Sequence, residues 1–358
     1  MRKAHRLDSR IKRISPSFWR LITQIDEVKG RWVAGARLSP QILGRLKRSV
    51  LVTSTGSSTR IEGARLSDAD IEKLMRGLDI QKFQDRDKQE CKGYYQLLEN
   101  VFNAWDRLSL TEGNIKFFHK EMLKFVDKDK QHRGKYKQRE NKVHMIDAAG
   151  QSVGILFDTT PAYLTPKEML ELVEWTSLAL KSGHHHPLLV IANFLVEFLK
   201  IHPFQDGNGR LSRVLTNLLL LKTGYSYVPY VSHEKIIEDN KPDYYLALRQ
   251  SQKTFKTKRE NLTPWLKFFL QTILKQSQMA VELLSEDNLD VLLTEKQRAV
   301  WAFMQKKKEA TPQDIAKATN IPRPTINQIL TKLLQLKKIQ RLGQGRGTRY
   351  VVLVGAKK

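Results

Sequence analysis

Twelve residues near the middle of the chain, His202-Pro203-Phe204-Gln205-Asp206-Gly207-Asn208-Gly209-Arg210-Leu211-Ser212-Arg213, separate two strongly apolar runs. Leu188 to Ile201 is apolar at most positions, with Asn193, Glu197 and Lys200 the clear exceptions. Leu211 to Leu221 is again leucine-rich. Each run is long enough for a helix, and neither has the polar face of a surface one, so both are predicted as buried core helices.

Pro203 disfavours helical geometry at His202, which ends the first helix there. Gly207 and Gly209 can take positive φ and bring bare backbone close to a ligand; Asn208 tolerates the left-handed region too. The second helix is predicted to begin near Gly209, with its free N–H groups and positive dipole end facing the loop. That is an anion site, and phosphate is the usual anion. Arg210 and Arg213, three apart, are expected to share a face and to suit a polyphosphate. Asp206 is the carboxylate placed to hold a divalent ion on those phosphates. His202 is the one group of the loop able to act as a base near neutral pH. The structural alternative is a tight turn with a capped helix start.

These residues resemble the signature of the Fic family (filamentation induced by cAMP), His-x-Phe-x-Asp/Glu-Gly-Asn-Gly-Arg-x-x-Arg, and meet it at every fixed position. The resemblance covers about residues 55 to 270. It implies a mainly α fold and transfer of AMP from ATP to a hydroxyl side chain of a target protein. In that picture His202 is the general base, Phe204 anchors the loop and Asp206 binds Mg²⁺. Gly207, Asn208 and Gly209 form the anion nest, with Asn208 on the α-phosphate. Arg210 and Arg213 hold the β- and γ-phosphates, and Tyr244 takes the family's adenine-contacting position. Read by itself, Tyr244 is equally a core tyrosine.

Upstream, Thr59 and Glu62 fit a capping box, or Glu62-Gly63 closes one helix before Ser67 opens the next. With the resemblance in hand, Ser58-x-x-x-Glu62-Gly63 is similar to the family's inhibitory motif. The implied role is autoinhibition, Glu62 pairing with Arg213 in place of the γ-phosphate.

The surrounding chain reads as helices. Phe18 to Lys29 is stopped by Gly30, and Ser39-Pro40 opens the next. Residues 88 to 106 and 110 to 125 are amphipathic, and Thr165 with Glu168 form a capping box for Lys167 to Lys181. Val143 to Ile146 and Val153 to Phe157 flank a turn at Ala149-Gly150 and predict a hairpin. By resemblance it is a flap that aligns the target by strand addition. Lys137 follows Tyr136 where family members often have Arg, which bears on how the flap is anchored. His184, His185 and His186 are adjacent, so they point apart, and no acidic neighbour suggests a metal site.

Trp265 to Val291 is predicted as one long helix. Thr294 caps another, Thr311-Pro312 opens a short one, and Thr325 to Lys337 a third. Strands at 339 to 342 and 349 to 353 follow, around Gly343 to Gly347. That order predicts a winged helix-turn-helix. From 291 on there are 15 lysines and arginines against 3 acidic residues. Arg323, Thr325, Asn327, Gln328 and Lys332, with Arg346 and Arg349 of the wing, suit DNA contact; protein contact is the alternative.

The formal net charge of +25 draws nucleic acid, anionic membrane or acidic proteins without choosing among them. The single cysteine, Cys91, excludes an internal disulfide and a cysteine-based zinc cluster. No apolar run reaches the roughly 18 residues of an uncharged membrane span, and no signal core follows the basic N-terminus. A cytoplasmic protein with no membrane partner is the expectation, and a homodimer is left open. The predicted architecture is mainly α. A helical region carrying the inhibitory motif (1–110) precedes a Fic-type core (111–275) with its flap at about 141–157. A linker helix (276–293) and a winged helix-turn-helix domain (294–358) follow. The function implied is an autoinhibited, ATP- and Mg²⁺-dependent protein adenylyltransferase. Two alternatives stay open: removal of AMP or transfer of another nucleotide or of phosphocholine, and a nucleotide-sensing DNA-binding regulator.

Overall fold

The computed structural model describes residues 5–12, 14–35, 38, 40–77, 85–146, 152–257, 259–284, 293–336, 338–343 and 348–353. Of 35, 142–146, 152–158 and 335 it describes the backbone only. The chain divides into two compact units, Met1–Leu284 and Ser285–Lys358.

The first unit is helical: α1 (Arg6–Ile11), α2 (Pro16–Gly35), α3 (Pro40–Ile61), α4 (Asp68–Met75), α5 (Arg86–Ala104) and α6 (Glu112–Met122), then a hairpin of β1 (Lys142–Ile146) and β2 (Ser152–Asp158). It continues with α7 (Thr165–Ser182), α8 (Pro187–Ile201), α9 (Asn208–Lys222), α10 (His233–Asp239), α11 (Lys241–Gln252) and α12 (Thr263–Glu282). α8 and α9 are the core, as their composition predicts: every residue from Leu188 to Leu199 is buried, and so is every one from Arg210 to Leu221. The polar exceptions on α8 have partners. Glu197 accepts from Arg6 at 2.7 Å and Arg10 at 2.6 Å, and Asn193 donates to Leu7 O at 2.8 Å. Together they dock α1 on an otherwise apolar helix. Partnered in this way, a buried carboxylate is tolerable.

Several local signals resolve differently from the sequence reading. Gly30 does not stop α2, which runs on to Gly35 because Trp32, 3% exposed, belongs to the core. Thr165 is already helical, and its hydroxyl donates to Pro161 O, while Glu168 accepts from Thr160 and Lys256; the expected capping box does not form. Thr59 is not a cap either. It lies inside α3 and its hydroxyl donates back to Thr55 O and Gly56 O, while the helix ends at Ile61 and the chain turns at Gly63, φ 103°. The long helix expected from Trp265 is described from Thr263 to Glu282; the linker at 285–292, Ser39 and the hairpin turn at 149–150 lie outside the described residues. Acidic partners do reach the histidine run, from distant helices: His185 Nε2 lies 3.2 Å from Asp8, and His186 Nε2 lies 2.9 Å from Asp26.

The second unit holds α13 (Glu295–Lys307), β3 (Glu309–Ala310), α14 (Pro312–Thr319), α15 (Arg323–Gln335), β4 (Ile339–Leu342) and β5 (Arg349–Val352). The strands form one antiparallel sheet in the order β3-β5-β4. β3 was not foreseen, being two residues long. Thr294 and Thr311 open their helices as expected, each completing a capping box, with Gln297 and Asp314, and α15 begins two residues before its predicted start. Val300, Met304, Ile315, Ile326, Leu330 and Leu333 fill a separate core. Among the described residues, no helix is long and apolar enough to cross a membrane.

Candidate active site

The α8–α9 loop is shaped by its own sequence. His202 closes α8 in the left-handed conformation, φ 52° and ψ 61°, with its N–H bonded to Phe198 O at 2.9 Å. A non-glycine residue held there costs about 1–3 kcal/mol unless its surroundings impose it. Here they do. Asn208, 1% exposed, clamps Phe204 through both halves of its amide, accepting from the backbone N at 2.9 Å and donating to the O at 2.8 Å. Asn141 adds a second donor to Phe204 O at 3.0 Å. The Phe204 ring, fully buried, stacks on His119 at 3.9 Å.

His119 was not singled out from the sequence. Its Nδ1 accepts from Gly134 N at 2.8 Å, so Nε2 carries the hydrogen and donates to Asp206 O at 3.0 Å. Burial holds it neutral, with its pKa lowered to about 4. The signal available in the sequence was weak: a polar residue on the apolar face of α6.

Gly207, φ 79°, is the N-cap of α9, which begins at Asn208, one residue before its predicted start. The first N–H groups of α9 therefore have no acceptor within the helix. The Glu62 carboxylate stands directly over this helix start, in the space a Cβ on Gly209 would need. Its Oε1 accepts from Arg213 Nη2 at 2.7 Å. Ser58 holds the same guanidinium, its Oγ accepting from Nε at 2.8 Å and its O from Nη2 at 2.9 Å. Nη1 of Arg213 is buried with no hydrogen-bond partner among the described residues. A buried guanidinium beside the N–H groups of a helix start suits an anionic oxygen.

Arg210 faces the other way. It is 2% exposed and reaches Glu90 on α5 at 2.5 Å and Asp206 at 3.2 Å. The two arginines expected to act side by side thus have separate partners. Asp206 accepts from Gly207 N at 2.6 Å and from Arg86 at 2.7 Å. Burial opposes its charge, but Arg210, the Gly207 N–H and Arg86 outweigh it, and the carboxyl stays below its usual range.

His202 Nδ1 lies 3.3 Å from Leu199 O, an acceptor, which assigns the hydrogen to Nδ1 and leaves the Nε2 lone pair free. Burial pushes its pKa down to about 4, with the nearby Lys137 charge adding to the effect against the Leu199 contact. Lys137 ties the hairpin to the loop. Its Nζ donates to Asn141 at 2.8 Å, Thr159 at 2.9 Å and Ile201 O at 3.1 Å, and its N–H to Pro203 O at 2.8 Å. One ammonium gathers both ends of the hairpin to the base of the loop. The hairpin is antiparallel, with register shifts between Val143 and His144 and between Met145 and Ile146. Tyr244 is 3% exposed, its ring set among Tyr245, Trp265 and Phe268. It lines a small cavity with Leu199, Ser212, Arg213 and His233.

A loop of this design on a helical core defines a class. Residues 109–220 match the Fic/DOC family model. The chain is 33% identical over 106 residues to a Fido domain-containing protein of Dictyostelium discoideum, covering 27% of this chain and 67% of that one. It is 25% identical over 198 residues to a probable protein adenylyltransferase of Aquifex aeolicus, covering 53% of this chain and 56% of that one, so just over half of that relative's length is spanned. A crystal structure of a Fic family protein from Desulfovibrio desulfuricans superposes with TM-score 0.62 at 25% identity, over 97% of this chain and 98% of that one. The chain belongs to the Fic/DOC family.

Proposed function

We propose that the protein is an adenylyltransferase that moves AMP from ATP to a hydroxyl side chain of a protein, and that Glu62 holds it in check. The observation that carries this reading is Arg213. A buried guanidinium beside a bare helix start is occupied by a carboxylate of the same chain while one nitrogen remains without a partner. The relative named as an adenylyltransferase supports the activity.

In this reading the backbone N–H groups of Asn208 and Gly209 bind phosphate oxygens, while that of Gly207 is given to Asp206 and Asn208 serves through its backbone because its side chain is engaged with Phe204. Arg213 binds a terminal phosphate once Glu62 leaves, and Arg210 contributes charge from behind Asp206. Tyr244 lines the nucleotide's far side. Neutral His202 accepts the proton of the attacking hydroxyl at Nε2 as the new O–P bond forms at the α-phosphate and the bond to the β-phosphate breaks, releasing pyrophosphate. The flap, pinned by Lys137, presents the target segment by strand pairing. Asp206 offers the hard oxygen that Mg²⁺ prefers, and its charge is maintained, so the residues fit the ion the family implies. Bound there with the nucleotide, the ion would neutralise phosphate charge.

The test is labelling of protein with ATP carrying the label at the α- or at the γ-phosphate, in the Glu62→Gly background. AMP transfer predicts label from the α-position alone. Label from the γ-position, or from neither, defeats the proposal.

A second reading concerns the C-terminal unit as a winged helix that contacts DNA. Its basic balance supports this, and Arg323, Asn327 and Gln328 are exposed on α15. Two expected contacts are otherwise engaged: Lys332 donates to Gln297 at 2.9 Å, and Arg349 pairs with Glu309 at 3.1 Å. Thr325 is half-buried, and Arg346 lies outside the described residues. DNA retention by the full chain that weakens steeply with salt is the expected outcome; no retention at low salt assigns the unit to protein contact.

A further inference from the structure

Asp206 has two acidic neighbours that no sequence pattern announced. Glu90 on α5 and Asp129, in the short turn after α6, each bring a carboxylate oxygen to it, and the three oxygens lie within 4.8 Å of one another. Glu90 is 8% exposed and Asp129 5%. Asp129 Oδ2 is buried without a hydrogen-bond partner among the described residues, its nearest cation being Arg86 at 3.9 Å. His132 Nε2 lies 3.0 Å from the other oxygen, Oδ1. An unpartnered, fully buried carboxylate oxygen aimed at two further carboxylates is costly unless something positive completes it.

The cation now present is Arg86. It reaches Glu90 at 2.8 Å and Asp206 at 2.7 Å, and falls short of Asp129. Unlike Arg210, 3% exposed on its side chain, Arg86 is 48% exposed and stands at the start of α5, free to swing into solvent. We infer that Glu90, Asp129 and Asp206 form a divalent-cation site that fills without nucleotide, with Arg86 as its removable stand-in.

Charge and size agree with this. Three carboxylates against Arg86 and Arg210 leave one negative charge; with Arg86 gone there are two, matching a divalent ion. All donors are hard oxygens, which select Mg²⁺, Mn²⁺ or Ca²⁺ over thiophilic metals. Oxygens up to 4.8 Å apart can sit across an ion with bonds of about 2.4 Å, the length of Ca²⁺ coordination, whereas the roughly 2.1 Å bonds of Mg²⁺ require the carboxylates to draw in. The expectation for Mg²⁺ in the family rests on Asp206 with the nucleotide's phosphates. The present site needs no phosphate and recruits two residues from other elements, so it stands whether or not the chain transfers AMP.

The experiment is Mn²⁺ binding to the nucleotide-free full chain, followed by electron paramagnetic resonance and competed with Ca²⁺. Wild type should bind one ion that Ca²⁺ displaces. Asp129→Asn, equal in shape, should weaken binding by about 10- to 100-fold, the usual cost of losing a partner at a metal site. Arg86→Met should tighten it by about tenfold, the size of one charge-assisted contact that no longer has to be broken. Circular dichroism confirms that each variant is folded, and Arg86, half exposed, tolerates the change. Absence of Mn²⁺ binding in both wild type and Arg86→Met would overturn the inference and make the cluster an ion-pair network only. Unchanged affinity in Asp129→Asn would equally overturn it, leaving Asp206 as a lone ligand.

Discussion

The loop at 202–213 and the segment at 58–63 meet at Arg213, yet they are built differently. The loop is braced from several sides at once, by distant His119, Lys137 and Asn141 and by bonds within itself. Asn208 clamps Phe204, Gly207 donates to Asp206, and His202 bonds to Phe198 and Leu199. The segment is held from far away. Glu62 and Ser58 bind Arg213, and Arg60 next to them donates to Glu238 at 2.5 and 3.2 Å and to Asp68 at 2.9 Å. A structure that adds bonds of its own to distant ones stays formed. One held by distant bonds alone can be released without disturbing the core. On the proposed function, the difference separates a site braced throughout from a segment that must leave it.

The comparison breaks most severely at the braced site. His202→Ala should reduce transfer by about 10²- to 10⁴-fold, the range of a lost general base. ATP binding should persist, since the phosphate contacts come from other residues. Normal labelling by this variant would remove His202 from the catalytic assignment.

At the segment the sign reverses. Glu62→Gly should raise labelling by about 10²-fold, the scale of a corrected misalignment, and adding Arg213→Ala should cancel the gain. Equal labelling of folded wild type and variant would make Ser58 to Gly63 a helix end and nothing more.

A smaller gain, about tenfold, is expected from Arg60→Met, because one set of charge-assisted contacts fixing the end of α3 is lost while Glu62 remains. No change in labelling would show that Glu62 alone sets the position of the segment.

The smallest effect is in pH dependence. A base must be neutral to act, and His202 with a pKa near 4 is neutral throughout the physiological range. The initial-rate profile should therefore be flat from roughly pH 6 to 8 and fall on the acid side only as the pKa is approached. The same group has a stability consequence. Its folded pKa lies below the ordinary histidine value, so the unfolded chain binds the proton more readily and stability falls as pH drops from about 6.5 toward 4. An acid limb centred near 6.5 would contradict the half-buried, singly hydrogen-bonded ring.

What was legible in the sequence follows the same division. The loop and its two helices could be read because each rests on neighbours: all-apolar runs, a proline after the histidine, glycines at the helix start. The end of α2 and the cap of α7 were misjudged where a distant partner overrode a local preference, as Trp32 did for Gly30, whereas the close of α3 at Glu62-Gly63 before Ser67 was one of the two readings the sequence offered. Glu90, Asp129 and the Arg60–Glu238 pair carried no local signal at all, and His119 only a weak one. Nor did Glu234, fully buried, which accepts from Ser54 and Ser232 through one oxygen and from Tyr94 and Asn217 through the other. Side chains from four elements converge on that carboxylate, and nothing in the spacing of residues 54, 94, 217 and 234 announces it.

The Glu62–Arg213 contact has one more consequence, which is a matter of reciprocity. Two ligands that compete for one guanidinium must weaken each other by the same factor, whichever is added first. One of these ligands is part of the chain and is always present. On the proposed function, productive nucleotide binding is therefore also a force on the last turn of α3, and anything that tugs that turn free is expected to act as an activator, even if it never touches the nucleotide. The turn carries a readable signature. The N–H groups of Glu62, Gly63 and Ala64 are bonded to Thr59 O and Arg60 O, so their exchange with solvent reports how often that turn is released.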